Sequence, residues 1–167
     1  ADGPTESWQY QAAQSADAAI TSEGAQRIVW DSCFVRHTAN YALRFNDGCT
    51  YNRVLNCTLE DLGAGGVWMG ARKGYVPPGD GTEMARRVYH RIGPRSTAYN
   101  QISNCTIRAG GRFNPEGTGV AITHASDCSV KHCDIHDIYY TGVSVGWTWG
   151  FSGSVAQRNE IAHNRIY

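Results

Sequence analysis

No apolar run in this chain approaches the roughly 20 residues needed to span a bilayer. Net charge is absent too. Fifteen Lys and Arg balance fifteen Asp and Glu, so the chain has no electrostatic footprint for nucleic acid or an anionic membrane. None of the six cysteines forms a CxxC pair, which argues against a structural zinc knuckle. There is no Gly-rich phosphate loop, no GxSxG elbow and no HExxH, so no cofactor or metal is expected. The opening ADGPTESWQYQAAQ lacks the basic-then-apolar order of a signal peptide, as would a chain from which one had been cleaved. Convincing 3.6-residue periodicity is missing throughout the central and C-terminal regions, which excludes a helical core there.

What is present is a repeat. With 167 residues the chain is long enough for one domain with a sizeable core. Aligning Cys33, Cys57, Cys105 and Cys133 gives gaps of 24, 48 and 28 residues, and 48 is twice 24. Ten residues after Cys33, Cys57 and Cys133 stand Leu43, Val67 and Val143. After Cys105 the step is fifteen, to Val120, because the turn RAGGRFNPEGTG is longer. Asn164, in RNEIAHNRI, takes the cysteine's place in a further copy. Each copy holds short period-two strands rich in Val, Ile, Leu and Thr, bounded by Gly, Asn and Asp. A unit of about 22–28 residues with two or three such strands cannot bury its inner face alone. The pattern predicts an all-β fold, a parallel β-helix of about five to six coils stacked at roughly 4.8 Å. Cys57, Leu59, Cys105, Ile107, Cys133 and Ile135 are expected to point inward. The cysteines are read as small buried residues rather than a disulfide framework. Asn52, Asn100, Asn104, Asn159 and Asn164 suit left-handed bends.

The chain is expected to form a single domain over 1–167. Residues 1–25 form a leading segment or cap, either a short amphipathic helix in QYQAAQSADAAI or a first coil. Residues 71–98, with Pro77-Pro78, Gly79 and Gly81, break the register as an inserted loop. That loop either lines a binding face or is solvated. The chain stops within a strand phrase at Asn164–Tyr167. It is therefore either a piece of a longer protein, or its uncapped coils meet something, and end-to-end self-association into a filament stays open.

Equal offsets from the ladder cysteine form columns. Four residues on stand His37, Asp61, Ala109 and Asp137; three on stand Arg36, Glu60, Arg108 and His136. If the 71–98 insertion adds no coil, Asp61 and Asp137 fall two coils apart, roughly 9.6 Å, close to the about 6.5–9.5 Å that inverting glycosidases leave between their carboxyls. Ala109 between them leaves room for a sugar or a water. The bland alternative is that both aspartates cap turns. His136 either tunes Asp137, holds a substrate hydroxyl or is an exposed turn residue. Glu116, in the long turn, and His124, after the following strand, could reach the same face or be structural. Tyr139, Tyr140, Trp147, Trp149 and Trp68 either stack on sugar rings or cover the side of the solenoid. The sequons at Asn56 and Asn104 lie in strand phrases and are read as accidental.

The phrases LEDLGAGGVWMG, FNPEGTGVAITHASDCSVKHCDIHDIYYTGVSVGWTWG and RNEIAHNRIY resemble the right-handed parallel β-helix proteins grouped with glycoside hydrolase family 141. The resemblance runs from about Glu23 to Tyr167 and is most specific in HDIYYTGVSVGWTWG. It implies a secreted, extracellular bacterial enzyme acting on an oligo- or polysaccharide, with xylanase and α-L-fucosidase activities in the family. It also implies a catalytic carboxylate pair, with Asp137 of HDIYYTG the stronger carry-over and Asp61 of LEDLGAGG the weaker. Arg108-Ala109 stand where relatives commonly have His-Asp, and members are usually much longer. Two other readings remain at this stage. One is a polysaccharide lyase or epimerase, which would want a Lys, Arg or His base and often calcium. The other is a structural or binding solenoid.

Overall fold

The structure, a computed structural model, describes residues 11–14, 16–70, 96–146 and 155–167. These residues make five coils. The first holds β1 (Ala18–Ser22), β2 (Val29–Asp31) and β3 (Phe34–Thr38), and the second β4 (Tyr41–Phe45), β5 (Arg53–Leu55) and β6 (Thr58–Leu62). The third holds β7 (Val67–Met69), β8 (Thr97–Ala98), β9 (Gln101–Ser103) and β10 (Thr106–Gly110). The fourth holds β11 (Thr118–Ile122), β12 (Ala125–Ser126), β13 (Ser129–Lys131) and β14 (Asp134–Ile138), and the fifth β15 (Thr141–Val145), β16 (Glu160–Ala162) and β17 (Arg165–Ile166). Each coil contributes one strand to each of three five-stranded sheets, ordered β1-β4-β7-β11-β15, β2-β5-β9-β13-β16 and β3-β6-β10-β14-β17. Strands β8 and β12 form a fourth, two-stranded sheet. Every pairing is parallel. The fold is thus all-β with parallel sheets, an arrangement compatible with a β-solenoid. Among the described residues no helix is long and apolar enough to cross a membrane.

The register is the one the cysteine spacing predicts. Val35, Leu59, Ile107, Ile135 and Ile166 pair in one row, and Leu43, Val67, Val120 and Val143 in another. The buried members of these rows join Cys57, Cys105 and Cys133 in one core. Complete burial of a Leu or Ile side chain contributes about 1.5–3 kcal/mol, and here each stacks on its counterpart. All six thiols are free; Cys33 is half-buried and the other five are buried.

Each coil bends where single residues enter the left-handed region. One column is Arg27, Tyr51, Tyr99, Asp127 and Arg158, a second is Ser32, Asn56, Asn104, His132 and His163, and a third is His37, Asp61, Ala109 and Asp137. All lie at φ between 52° and 59°. Of the asparagines expected at such bends, only Asn104 occupies one. Asn52, Asn100, Asn159 and Asn164 instead turn their amides along the stack. Asn52 Oδ1 accepts from the Ile28 N–H and Asn100 Oδ1 from the Asn52 N–H, both at 3.0 Å. Asn164 Oδ1 accepts from the Cys133 N–H at 2.9 Å. In the same column, Cys57 and Cys105 Sγ accept from the N–H groups of Cys33 and Cys57 at 3.4 Å. A side chain from the next coil therefore caps a backbone donor that no strand partner serves, which a buried donor requires.

Two boundaries shift. Thr97 and Ala98 pair with Ala125 and Ser126, so the ladder resumes inside the expected 71–98 insertion. Residues 71–95 lie outside the described set. At the other end, Ala18–Ser22 pairs with β4 as part of a first coil, and Gln11–Ala13 forms a short 3-10 turn.

Candidate functional site

The third bend column opens on the outside of the sheet β3-β6-β10-β14-β17. Its residues sit between two in-register rows, Arg36-Glu60-Arg108-His136 and Thr38-Leu62-Gly110-Ile138. The left-handed bend turns each of these side chains out of the strand's alternation. Asp and His tolerate that conformation better than most residues, whereas Ala109 bears a strain of about 1 kcal/mol. Asp61 and Asp137 thus share one column with a single coil, that of Ala109, between them. Two rungs of about 4.8 Å place their backbones about 9.6 Å apart.

The two carboxylates have different surroundings. Asp61 Oδ2 accepts from His37 Nδ1 at 2.6 Å, and its Oδ1 lies 3.3 Å from Arg112 Nε. The hydrogen bond from His37, with the charges of His37 and Arg112 behind it, holds the Asp61 carboxyl below the usual carboxylate range. Asp137 is more open, its side chain 74% exposed against 46% for Asp61. One of its oxygens, Oδ2, lies 2.8 Å from His136 Nδ1. The His136 ring stacks on Tyr167, with centroids 5.0 Å apart and planes at 5°, which fixes its orientation. Between the aspartates, Arg108 Nε and Nη2 both donate to Glu60 Oε2, at 2.9 and 2.5 Å.

The long turn after β10 explains how Arg112 arrives. The backbone N–H of Arg112 donates to Leu62 O, and those of Phe113 and Asn114 to Gly63 O. The extra residues therefore fold back over the second coil and carry the guanidinium onto Asp61. Glu116 lies half-buried in the turn closed by the Gly117 N–H on Asn114 O. Gly110 and Gly111 are buried, and Ile138 and Tyr139 of the next coil lie over them. Phe113 and Tyr139 are 73% and 67% exposed, with Tyr140 next to Tyr139.

No protein-family model, curated protein or solved structure matches the chain.

The remaining expected residues scatter. Tyr140 is exposed at this bend, beside Asp137 in sequence. His124 follows the opposite end of β11, a strand's length away, and burial pushes its pKa down. Of the two readings of Trp68, an open stacking ring or a cover on the solenoid's side, the open ring does not hold: Trp68 is only 2% exposed. It lies on the outer side of the β4-β7-β11 sheet, where Ala12, Ala13 and Ala16 pack in the same cluster. Arg44 holds that cover, donating to Ala16 O at 2.6 Å and to Gln14 O at 3.3 Å while its guanidinium lies 4.7 Å from the indole centroid. Tyr41 meets the same indole edge-on at 5.5 Å and donates its hydroxyl to Ala12 O. Trp147 and Trp149 lie outside the described residues. His37 and Arg112 were missed as partners of Asp61. The offset placed His37 in the column, but only the folded turn brings Arg112 there. Among the described residues, no group of three or more His, Cys, Asp or Glu side chains is placed to hold a metal ion.

Proposed function

We propose that the chain is a right-handed parallel β-helix glycoside hydrolase, secreted or extracellular, that cleaves an oligo- or polysaccharide at the Asp61–Asp137 bend without a cofactor. The observation that carries this reading is the shared column: two outward carboxylates two rungs apart, with the smallest chiral side chain, Ala109, between them. Right-handedness is supported by the parallel crossovers, since strand-to-strand connections within one parallel sheet are right-handed in about 98% of cases. Asp61, kept ionised by His37 and Arg112, serves as the base that takes a proton from the attacking water. Asp137 takes the acid's role toward the leaving glycosidic oxygen. Backbones two rungs apart, about 9.6 Å, are closer to the carboxyl separation of inverting than of retaining enzymes, and the reading is therefore inversion. His136 holds one Asp137 oxygen.

The test is a glycan panel assayed with the wild type, Asp61→Asn and Asp137→Asn. Each substitution is expected to lower kcat by about 10²–10⁴-fold, with inverted product stereochemistry by NMR. Hydrolysis that survives both substitutions ends the assignment. A second reading, a glycan-binding solenoid without turnover, is favoured by one observation: both Asp61 oxygens already have partners. Binding without cleavage by the wild type would select it.

A further inference from the structure

We propose that Cys33 and Cys57 form a linear, two-thiolate site for a soft monovalent d10 cation, Cu(I). The site is independent of the carbohydrate reading of the Asp61–Asp137 bend.

The sulfurs repeat one geometry. Cys33, Cys57, Cys105 and Cys133 each immediately precede a member of one in-register row, Phe34-Thr58-Thr106-Asp134. Each donates its S–H to the carbonyl oxygen two residues earlier. Cys33 reaches Asp31 O at 3.4 Å and Cys57 reaches Leu55 O at 3.1 Å. Cys105 and Cys133 reach Ser103 O and Lys131 O, both at 3.2 Å. The same contact made from backbones in register means the same rotamer. The four sulfurs therefore stack in a column with the rung spacing of about 4.8 Å. The backbone N–H groups of Cys33 and Cys57 agree, since each donates to the sulfur one coil further on, at 3.4 Å.

That spacing selects the chemistry. A disulfide needs its sulfurs about 2.05 Å apart, so the column as built is too wide for one. Two metal–thiolate bonds of about 2.3 Å laid end to end span about 4.6 Å, which is nearly one rung. An ion midway between two neighbouring sulfurs has one on each side of it, in a line. Cu(I) is soft and accepts two thiolates in that geometry, whereas Zn(II) wants four ligands in a tetrahedron. Among the described residues no group of three or more His, Cys, Asp or Glu offers such a tetrahedron.

Position selects the pair. Cys33 is half-buried, while Cys57, Cys105 and Cys133 are each 2% exposed. An ion from solvent therefore meets the column at Cys33. Binding breaks two S–H bonds, forms two Cu–S bonds and releases two protons to solvent. Copper stays Cu(I), so nothing is oxidised or reduced, and the bound unit carries one negative charge. Between Cys33 and Cys57 that charge lies next to solvent, and the Cys33 N–H donates to Cys57 Sγ. Between Cys105 and Cys133 it would lie in the apolar core, where an uncompensated charge is costly.

The experiment titrates the reduced chain with Cu(I) under argon, in competition with the chelator bathocuproine disulfonate. The proteins are the wild type, Cys33→Ser, Cys57→Ser and Cys133→Ser. Wild type is expected to take one Cu(I) from the chelator. Cys33→Ser and Cys57→Ser should each weaken that binding about 100-fold or more, while Cys133→Ser leaves it within about twofold. One equivalent of Cu(I) should also raise the thermal transition of the wild type and not that of Cys33→Ser, because the ion joins two coils only in the folded chain. X-ray absorption of the loaded wild type should show two sulfur neighbours on copper. Wild type that leaves all the Cu(I) with the chelator overturns the proposal. So does Cys33→Ser that binds like wild type, a loss at Cys133→Ser as large as at Cys57→Ser, or copper with three sulfurs or with nitrogen or oxygen neighbours. If Cys57→Ser does not fold, as judged by its thermal transition, Cys33→Ser together with the absorption spectrum decides.

Discussion

Asn52 Nδ2 lies 2.9 Å from Asn100 Oδ1, although the two residues are 48 positions apart in sequence. The same oxygen also accepts from the Asn52 backbone N–H, and Asn100 Nδ2 passes the chain on to Cys49 O at 2.8 Å. Both side chains are buried. Asn100→Ala removes one acceptor from two buried donors at once, so about 1–3 kcal/mol of stability should be lost for each donor left dry. Urea denaturation followed by circular dichroism measures it. Asn104→Ala, at an exposed bend, should cost less.

That pair also shows what the sequence could and could not reveal. The spacing of Cys33, Cys57, Cys105 and Cys133 predicts the strand register because a parallel stack places equal offsets side by side, and one slipped residue would turn the inner face outward. The doubled gap of 48 residues is a coil interrupted by the segment beyond Gly70. Side-chain direction was harder to read. Tyr51 and Tyr99 take the left-handed bends, which frees Asn52 and Asn100 to bond along the stack; composition favours asparagine at the bend and points one residue too far. Periodicity left Trp68 undecided between an open ring and a covered one because its cover comes from Ala12, Ala13 and Ala16, which carry no repeat. Arg112 reaches Asp61 only because its turn folds back onto Gly63, a path that strand periodicity does not encode.

Thiol reactivity follows from the buried ladder. Burial pushes Cys57 and Cys128 up to about 11, so neither forms appreciable thiolate near neutral pH. Cys33, half-buried in the first coil, is the accessible thiol. At pH 8 Ellman's reagent should titrate Cys33 quickly and leave Cys57 and Cys128 silent, while denaturant releases all six. Mapping of the modified peptides by mass spectrometry checks the order. Rapid native labelling of Cys57 would mean that the coils are not closed there.

Asp61 should titrate abnormally. Its pKa is depressed first by the His37 hydrogen bond, so the carboxylate is ionised at pH values where an ordinary aspartate, near 3.9, is partly protonated. The sign follows from linkage: with the folded pKa below the unfolded one, the stabilisation is present above the unfolded pKa and is lost as pH falls through the folded value. His37→Ala should move the Asp61 titration upward in a carboxyl-detected NMR experiment. Arg112→Ala should move it by less. In turnover, the acidic limb of the kcat/KM profile should shift with His37→Ala in the same direction.

Ala109 separates fold from function in a single position. At φ 55° an alanine is strained and an asparagine is not, whereas a β-branched residue is a true outlier there. Ala109→Asn should therefore hold or raise the melting temperature, and Ala109→Val should lower stability by about 1–3 kcal/mol. Both side chains occupy the space between Asp61 and Asp137. If that space holds the substrate, Ala109→Asn loses hydrolysis while keeping its stability, a combination that a purely structural column cannot produce. Thermal denaturation and a reducing-sugar assay on the same preparation read both quantities. Full hydrolysis by a well-folded Ala109→Asn would show that the sugar is bound elsewhere, and a melting temperature as low as that of Ala109→Val would show that residue 109 does not take the left-handed bend.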